Sequence, residues 1–111
     1  TDDNFKNILQ VKIQKEFKIT PDYLEIDRNN ETGYLMGVYI CLGQQIHNLS
    51  HTDAIPFTNF GSFESIHEYI ETNKTVLIFL DSGEHKIKKK AEQLACEMAL
   101  QVLPHQDTTT P

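Results

Sequence analysis

GEHKIKKKAEQLACEMAL, residues 83–100, is the stretch on which the fold turns. Ile87, Ala91, Leu94, Ala95 and Met98 recur at helical spacing and Val102 continues the series, which predicts a helix over residues 86–103. Pro104 stops it, because proline cannot extend the helical hydrogen-bond ladder. Its start carries Lys86, Lys88, Lys89 and Lys90. A helix N-terminus already holds about half a positive charge and presents unsatisfied N–H groups. Aspartate and glutamate suit that position, whereas each lysine opposes the dipole by about 0.3 kcal/mol or more. A bound anion would offset the cost, and phosphates bind helix N-termini for this reason. Lys86, Lys89 and Lys90 point away from the apolar stripe, and Lys88 flanks it. A solvated charged face is the alternative, and the unfavourable position at a helix start is what favours an anion site.

Upstream, residues 74–81 (KTVLIFLD) form a strand with a fully apolar middle, followed by a turn at residues 82–85. Residues 34–42 (YLMGVYICL) form a strand rich in aromatic and β-branched side chains, and residues 23–27 (YLEID) form a shorter one. The polar run 28–33 between them is a loop by composition. The first element is a helix over residues 3–18, capped by Asp2 or Asp3, with Phe5, Ile8, Leu9, Ile13 and Phe17 as its apolar stripe. Thr20-Pro21 ends it. Residues 46–73 are an insertion: loop-like over 48–61, then a short helix over 63–72 capped by Ser62 and anchored by Phe63, Ile66 and Ile70. The result is an α+β domain over residues 1–103 in the order α-β-β-β-α. A three-stranded antiparallel sheet carries two helices packed on one face, with the inserted short helix before the third strand. The polar tail 104–111 is expected to be disordered.

Both faces of two strands are apolar. Tyr34, Met36, Val38 and Ile40 share one face of the second strand, and Leu35, Tyr39 and Cys41 the other; VLIFL in the third is alike. Two long helices cover only one face, so the inserted helix is expected to cover some of the other. A dimer or partner surface is the alternative.

The bulk numbers fit one domain of 111 residues. The net charge of −6 argues at first against a nucleic-acid partner, yet removing the four clustered lysines leaves the rest at −10. A cationic spot on an acidic body suits a small, defined anion contact. No stretch approaches the roughly 18 apolar residues of a membrane span. The acidic N-terminus has no signal-peptide pattern, and the start at Thr1 suggests an excised fragment or a processed chain. Cys41 and Cys96 sit in apolar runs, as buried free thiols of a reducing compartment do, in the cytoplasm or nucleus.

With the elements in this order, the C-terminal stretch resembles the double-stranded-RNA-binding domain. Gly83 precedes a basic helix start, Lys88 and Lys89 match the family's paired lysines, and Ala91, Ala95, Cys96, Ala99 and Leu100 match its small and apolar positions. Phe5 to Gln10, with Gln14 after it, looks like the first helix of the domain that closes ribonuclease III enzymes, and Pro21-x-Tyr23 resembles the family's entry to strand one. The resemblance covers about residues 1–45 and 75–103. It implies a non-catalytic module binding double-stranded RNA by shape and phosphate contact, with a ribonuclease III-type endoribonuclease as parent protein. It also implies a three-part grip, in which the first helix reads one minor groove, the strand-one loop enters the next, and the lysines span the phosphates between. Lys6, Asn7, Gln10 and Gln14 would serve in the first part, and amides suit a 2′-hydroxyl partner. An ordinary polar exterior is their alternative. Arg28, Asn29 and Asn30 would serve in the second. His85 would add a phosphate contact when protonated.

Three departures predict altered RNA binding. Glu92 stands where the family often has a third lysine, and can pair with Lys88 at i, i+4. The loop lacks the usual G-P-x-H, and Val11 stands where relatives often carry Glu. A protein-interaction or dimerisation module of the same fold, using the apolar sheet face or third strand, is therefore the alternative. Its partner would be a second copy or the parent's catalytic domain. His47 and His51 with Asp53 fall short of a zinc set. No phosphate-cradling glycine loop, nucleophile elbow or paired-carboxylate motif is present, so no catalytic residue, metal ligand or cofactor is expected.

Overall fold

The continuous apolar runs become the long central strands. The computed structural model describes residues 4–104. Its elements are α1 (Phe5–Phe17), β1 (Asp22–Asn29), β2 (Gly33–Leu42), β3 (Ile55–Pro56), α2 (Phe63–Asn73), β4 (Val76–His85) and α3 (Lys88–Val102). Single 3-10 turns lie at Ile46–Asn48, His51–Asp53 and Phe57–Asn59. The fold is α+β, as the sequence indicates, but the sheet has four strands in the order β1-β2-β4-β3 rather than three. β1, β2 and β4 pair antiparallel, whereas β3 lies parallel to β4 through Ile55↔Ile78 and Pro56↔Phe79. Pro56 donates no hydrogen bond, so an edge is the place a strand containing it can occupy.

Several boundaries move. β4 runs straight through the expected turn at 82–85. β1 extends to Asn29, shrinking the expected loop to residues 30–32. Asn29 Oδ1 closes that turn by accepting the N–H groups of Glu31 (2.8 Å) and Thr32 (2.7 Å). Gly33 follows at φ 88°, where a side chain would meet the backbone of His85 and Lys86. α1 ends at Phe17 with Lys18 in the left-handed region. Its residue before the first turn is Asn4, which makes no side-chain cap. The caps expected at Asp2 or Asp3, and the tail from residue 105, lie outside the described residues. Ser62 caps α2 as expected, its Oγ accepting the Ser65 N–H at 3.1 Å.

All three helices lie on one face of the sheet. One core joins Leu9 and Ile13 of α1, Phe63 and Ile66 of α2, and Ala95, Cys96 and Ala99 of α3 to Val38, Ile40, Val76, Ile78 and Leu80. Phe17 meets the Phe63 ring edge-on at 5.4 Å, which locks α1 to α2. The inserted helix therefore does not cover the second face. That task falls to residues 46–54, whose Ile46, Leu49 and Ala54 pack over Tyr39, Cys41, Leu77, Leu24 and Phe79. The insertion is thus split, its first half on one face and its second half on the other. Bulges at Ile26 of β1 and Leu80 of β4 adjust the strands between these layers.

The helical stripes also rotate from expectation. In α1, Leu9 and Ile13 are buried while Ile8 is 48% exposed. In α3, the buried face is Ala91, Ala95, Cys96 and Ala99, and Leu94, Met98 and Val102 are 36, 42 and 37% exposed. The small face lets α3 press onto β4. A Cβ on Gly83 would stand 2.5 Å from the Ala95 nitrogen and 2.6 Å from the Ala91 oxygen. Gly83 marks close approach, not a turn.

Cys41 and Cys96 are free and buried. Tyr23 Oη and Cys96 Sγ share a hydrogen bond of 3.3 Å between β1 and α3. Burial pushes the Tyr39 hydroxyl up to about 12, and raises Tyr23 and both thiols above their ordinary ranges. All four groups are held neutral in the fold and ionise more readily in the unfolded chain. Their contribution is therefore complete below the ordinary thiol value of 9.0 and is lost progressively above it. Urea denaturation should give a clearly lower midpoint at about pH 10.5 than at about pH 8; equal midpoints would contradict this burial.

Candidate nucleic-acid interface

The helix expected to open at Lys86 opens at Lys88, two residues later. Ile87 stands at the cap with no side-chain hydrogen bond, and the first turn contains no acidic residue. The Lys90 N–H reaches the Ile87 carbonyl at 3.0 Å, and among the described residues the N–H groups of Lys88 and Lys89 have no acceptor. Lys86, Lys88, Lys89 and Lys90 are all exposed. Among the described residues none of the four makes an ion pair or a side-chain hydrogen bond. Lys86 lies in the link before the helix and adds charge without opposing the dipole. The link is held by the Ile87 N–H, which donates to His85 Nδ1 at 2.9 Å. His85 therefore accepts at Nδ1 and offers an N–H at Nε2, in the neutral tautomer. A phosphate contact by protonated His85 would break this bond, so the neutral ring is the form that fits the observed link.

Sheet register brings the strand-one loop to the same end. Arg28 pairs with Tyr34, and Tyr34 pairs with His85, across three strands. Directly opposed residues share a face, so these three side chains form a row beside the lysines. The Arg28 guanidinium lies over the Tyr34 ring, 5.1 Å from its centroid, and its Nε donates to Glu25 at 3.3 Å. Stacking plus one ion pair fixes the guanidinium while its remaining N–H groups stay available. Asn29 spends its oxygen on the turn and keeps only its amide N–H groups for a ligand. Asn30 is exposed in that turn. From sequence Tyr34 reads only as part of an apolar strand face and not as a site residue; its signal is its place directly across from a loop arginine.

On α1, Asn7, Gln10 and Gln14 are exposed and span roughly 10 Å along the outer surface at 1.5 Å per residue. Lys6 does not join them. Its Nζ pairs with Glu92 of α3 at 2.6 Å and lies 4.9 Å from the centre of the Tyr23 ring. Its backbone N–H donates to Gln93 Oε1 at 3.2 Å. The expected Lys88–Glu92 pair is absent, because Glu92 turns toward α1 and is mostly buried there. Glu92 thus makes no pair with Lys88. Lys6→Ala should lower stability by about 1 kcal/mol in urea denaturation. RNA affinity should stay within about twofold, since the ammonium is already engaged; a large affinity loss would return Lys6 to the interface.

Among the described residues no three His, Cys, Asp or Glu side chains gather into a metal-sized cluster, and no helix is long and apolar enough to cross a membrane. The arrangement offers cationic and amide donors at one end and along α1, with no nucleophile or paired carboxylate among them. Compared with protein-family models and with curated proteins, the chain matches none.

Proposed function

We propose that this chain binds double-stranded RNA by backbone contact, as a module of a ribonuclease III-like protein. The single observation that carries the reading is the group of exposed lysines at an uncapped helix start, none paired among the described residues. Arg28, held against Tyr34, extends that cationic end, and the amides of α1 add donors and acceptors for 2′-hydroxyls. The succession of α1, three long antiparallel strands and α3 supports the reading, since it follows the α-β-β-β-α order that the resemblance implies. β3 and α2 are additions to it. Recognition is by shape, with little dependence on base sequence.

The test is side-by-side binding of duplex RNA, duplex DNA and single strands to the wild type and to Lys88→Ala/Lys89→Ala. The wild type should prefer duplex RNA, and the double variant should lose most of that affinity. Equal binding of all three nucleic acids, or an unaffected variant, would overturn the reading.

One observation favours a second reading, a protein-docking version of the same fold. Leu94, Met98 and Val102 form an exposed apolar row along α3. Pairing through β4 is less supported. β3 covers Ile78 and Phe79, and the Asp81 carboxylate accepts the Ser82 N–H at 2.8 Å, placing a charge on the remaining edge. Size-exclusion chromatography of the free chain separates the two readings, since docking through this row to a second copy predicts a dimer.

A further inference from the structure

Beside the lysines lies a cavity of about 470 Å³, lined by Phe5, His85, Lys90, Gln93, Leu94 and Glu97. Its volume falls within the range of roughly 300–1,000 Å³ typical of small-ligand pockets. Four lining residues come from two turns of α3, at spacings that place them on one side of the helix. Phe5 enters from α1 and His85 from the end of β4. We propose that this cavity receives one unpaired guanine of a bound RNA, a base at a duplex end or bulge. The inference rests on the RNA-binding reading and names a feature of the RNA that the lysines alone do not select.

The chemistry of the lining leads to guanine. Phe5 and Leu94 supply apolar walls against which a base can stack. Lys90 stands on the rim with an ammonium for the adjoining phosphate, and His85 adds an N–H from Nε2. Gln93 has its Oε1 committed to the Lys6 N–H, so its free amide N–H groups present donors only. Glu97, one turn on, presents acceptors only, and among the described residues it has no ion-pair partner. A carboxylate beside phosphate-binding lysines repels the backbone unless it meets a donor. Guanine offers two adjacent donors, N1–H and the 2-amino group, to one carboxylate, and its O6 accepts from an amide. Adenine, cytosine and uracil each place an acceptor where the carboxylate would demand a donor. A base inside a duplex is stacked and paired, so only an unpaired one can enter.

The test uses the full chain and an RNA duplex of about 20 base pairs, blunt or with a single 3′-overhanging guanosine. The overhang should tighten binding about tenfold, in line with base stacking on an aromatic wall. An overhanging adenosine, or an abasic overhang, should give less than about a third of that gain. Glu97→Gln should remove the guanosine gain without lowering blunt-duplex affinity, since for a blunt duplex the carboxylate contributes only repulsion. In parallel, guanosine 5′-monophosphate should shift the backbone amide signals of Gln93, Leu94 and Glu97 saturably. Blunt and overhanging duplexes bound equally well, a gain that survives in Glu97→Gln, or amides unmoved by the nucleotide would each overturn the proposal. Nucleotide shifts without any duplex binding would keep the pocket and sink the duplex reading. Duplex binding without shifts would do the reverse.

Discussion

Replacing Gly83 with alanine is expected to lower the folding free energy by about 3 kcal/mol, the upper part of the range for overpacking a filled core. The added Cβ would sit 2.5 Å from the Ala95 nitrogen, 2.6 Å from the Ala91 oxygen and 2.6 Å from the Leu94 Cβ. Two of these are helix backbone, which cannot rotate aside as a side-chain tip can. α3 must lift from β4, and its whole buried face of Ala91, Ala95, Cys96 and Ala99 lifts with it. Small domains are stable by only about 5–15 kcal/mol, so the loss would be plain in a urea midpoint. Gly61→Ala is the control. Its Cβ would meet nothing within 4 Å, but its φ of 77° costs a side chain about 1 kcal/mol. Gly83 has no such backbone constraint, so any excess over Gly61 measures helix contact. A Gly83 variant no weaker than the Gly61 variant would mean that α3 is not seated as described.

Gly83 also shows where sequence reasoning runs out. Glycine marks a turn, a strand kink or a close approach, and local pattern does not separate them. With Ser82 and Glu84 beside it, the turn was the natural expectation, yet the strand continues to His85 because the glycine serves a helix distant in the chain. The same cause shifted part of the α3 stripe, although its Ala91 and Ala95 are buried as read. Periodicity weights large apolar residues, so Leu94, Met98 and Val102 drew the predicted face. The sheet instead demanded the small residues beside them, and the large ones were pushed to the rim. By contrast, β2 and the first half of β4 were legible, since long apolar runs with β-branched residues have few other fates.

The site divides along the same line. The lysine group was legible because charge is local, and α3 begins within two residues of its first member. The tie of Glu92 to Lys6 was not, because the partners are 86 positions apart and the i, i+4 rule offers Lys88 first. The observed pair reverses the expectation set by the i, i+4 spacing. Glu92 appeared to blunt the cationic patch; instead it takes a lysine that belongs to the scaffold and leaves the patch intact. Likewise the acidic and apolar insertion gave no local sign of dividing between two sheet faces. Ile46 and Leu49 are too few and too irregularly spaced to register as a layer, and only the apolar Tyr39–Phe79 face that they cover explains them.

Lys88→Ala/Lys89→Ala/Lys90→Ala should move binding and stability in opposite directions. With about three to four phosphates neutralised, log affinity of the wild type should fall with log salt at a slope of roughly −3, which weakens binding about 60-fold between 50 and 200 mM. The triple variant, which keeps Lys86 and Arg28, should show a much flatter slope and bind at least about 100-fold more weakly at the lower salt, each lost contact flattening the slope by roughly one. Its folding should improve. Each lysine opposes the α3 dipole, no acidic residue in the first turn compensates, and alanine is the better helix former. A gain of up to about 1 kcal/mol in urea denaturation follows. A variant that loses affinity because it unfolds would show both quantities falling together, whereas a lysine group kept for phosphate shows one falling as the other rises. An unchanged salt slope in the folded variant would remove these lysines from any contact with RNA.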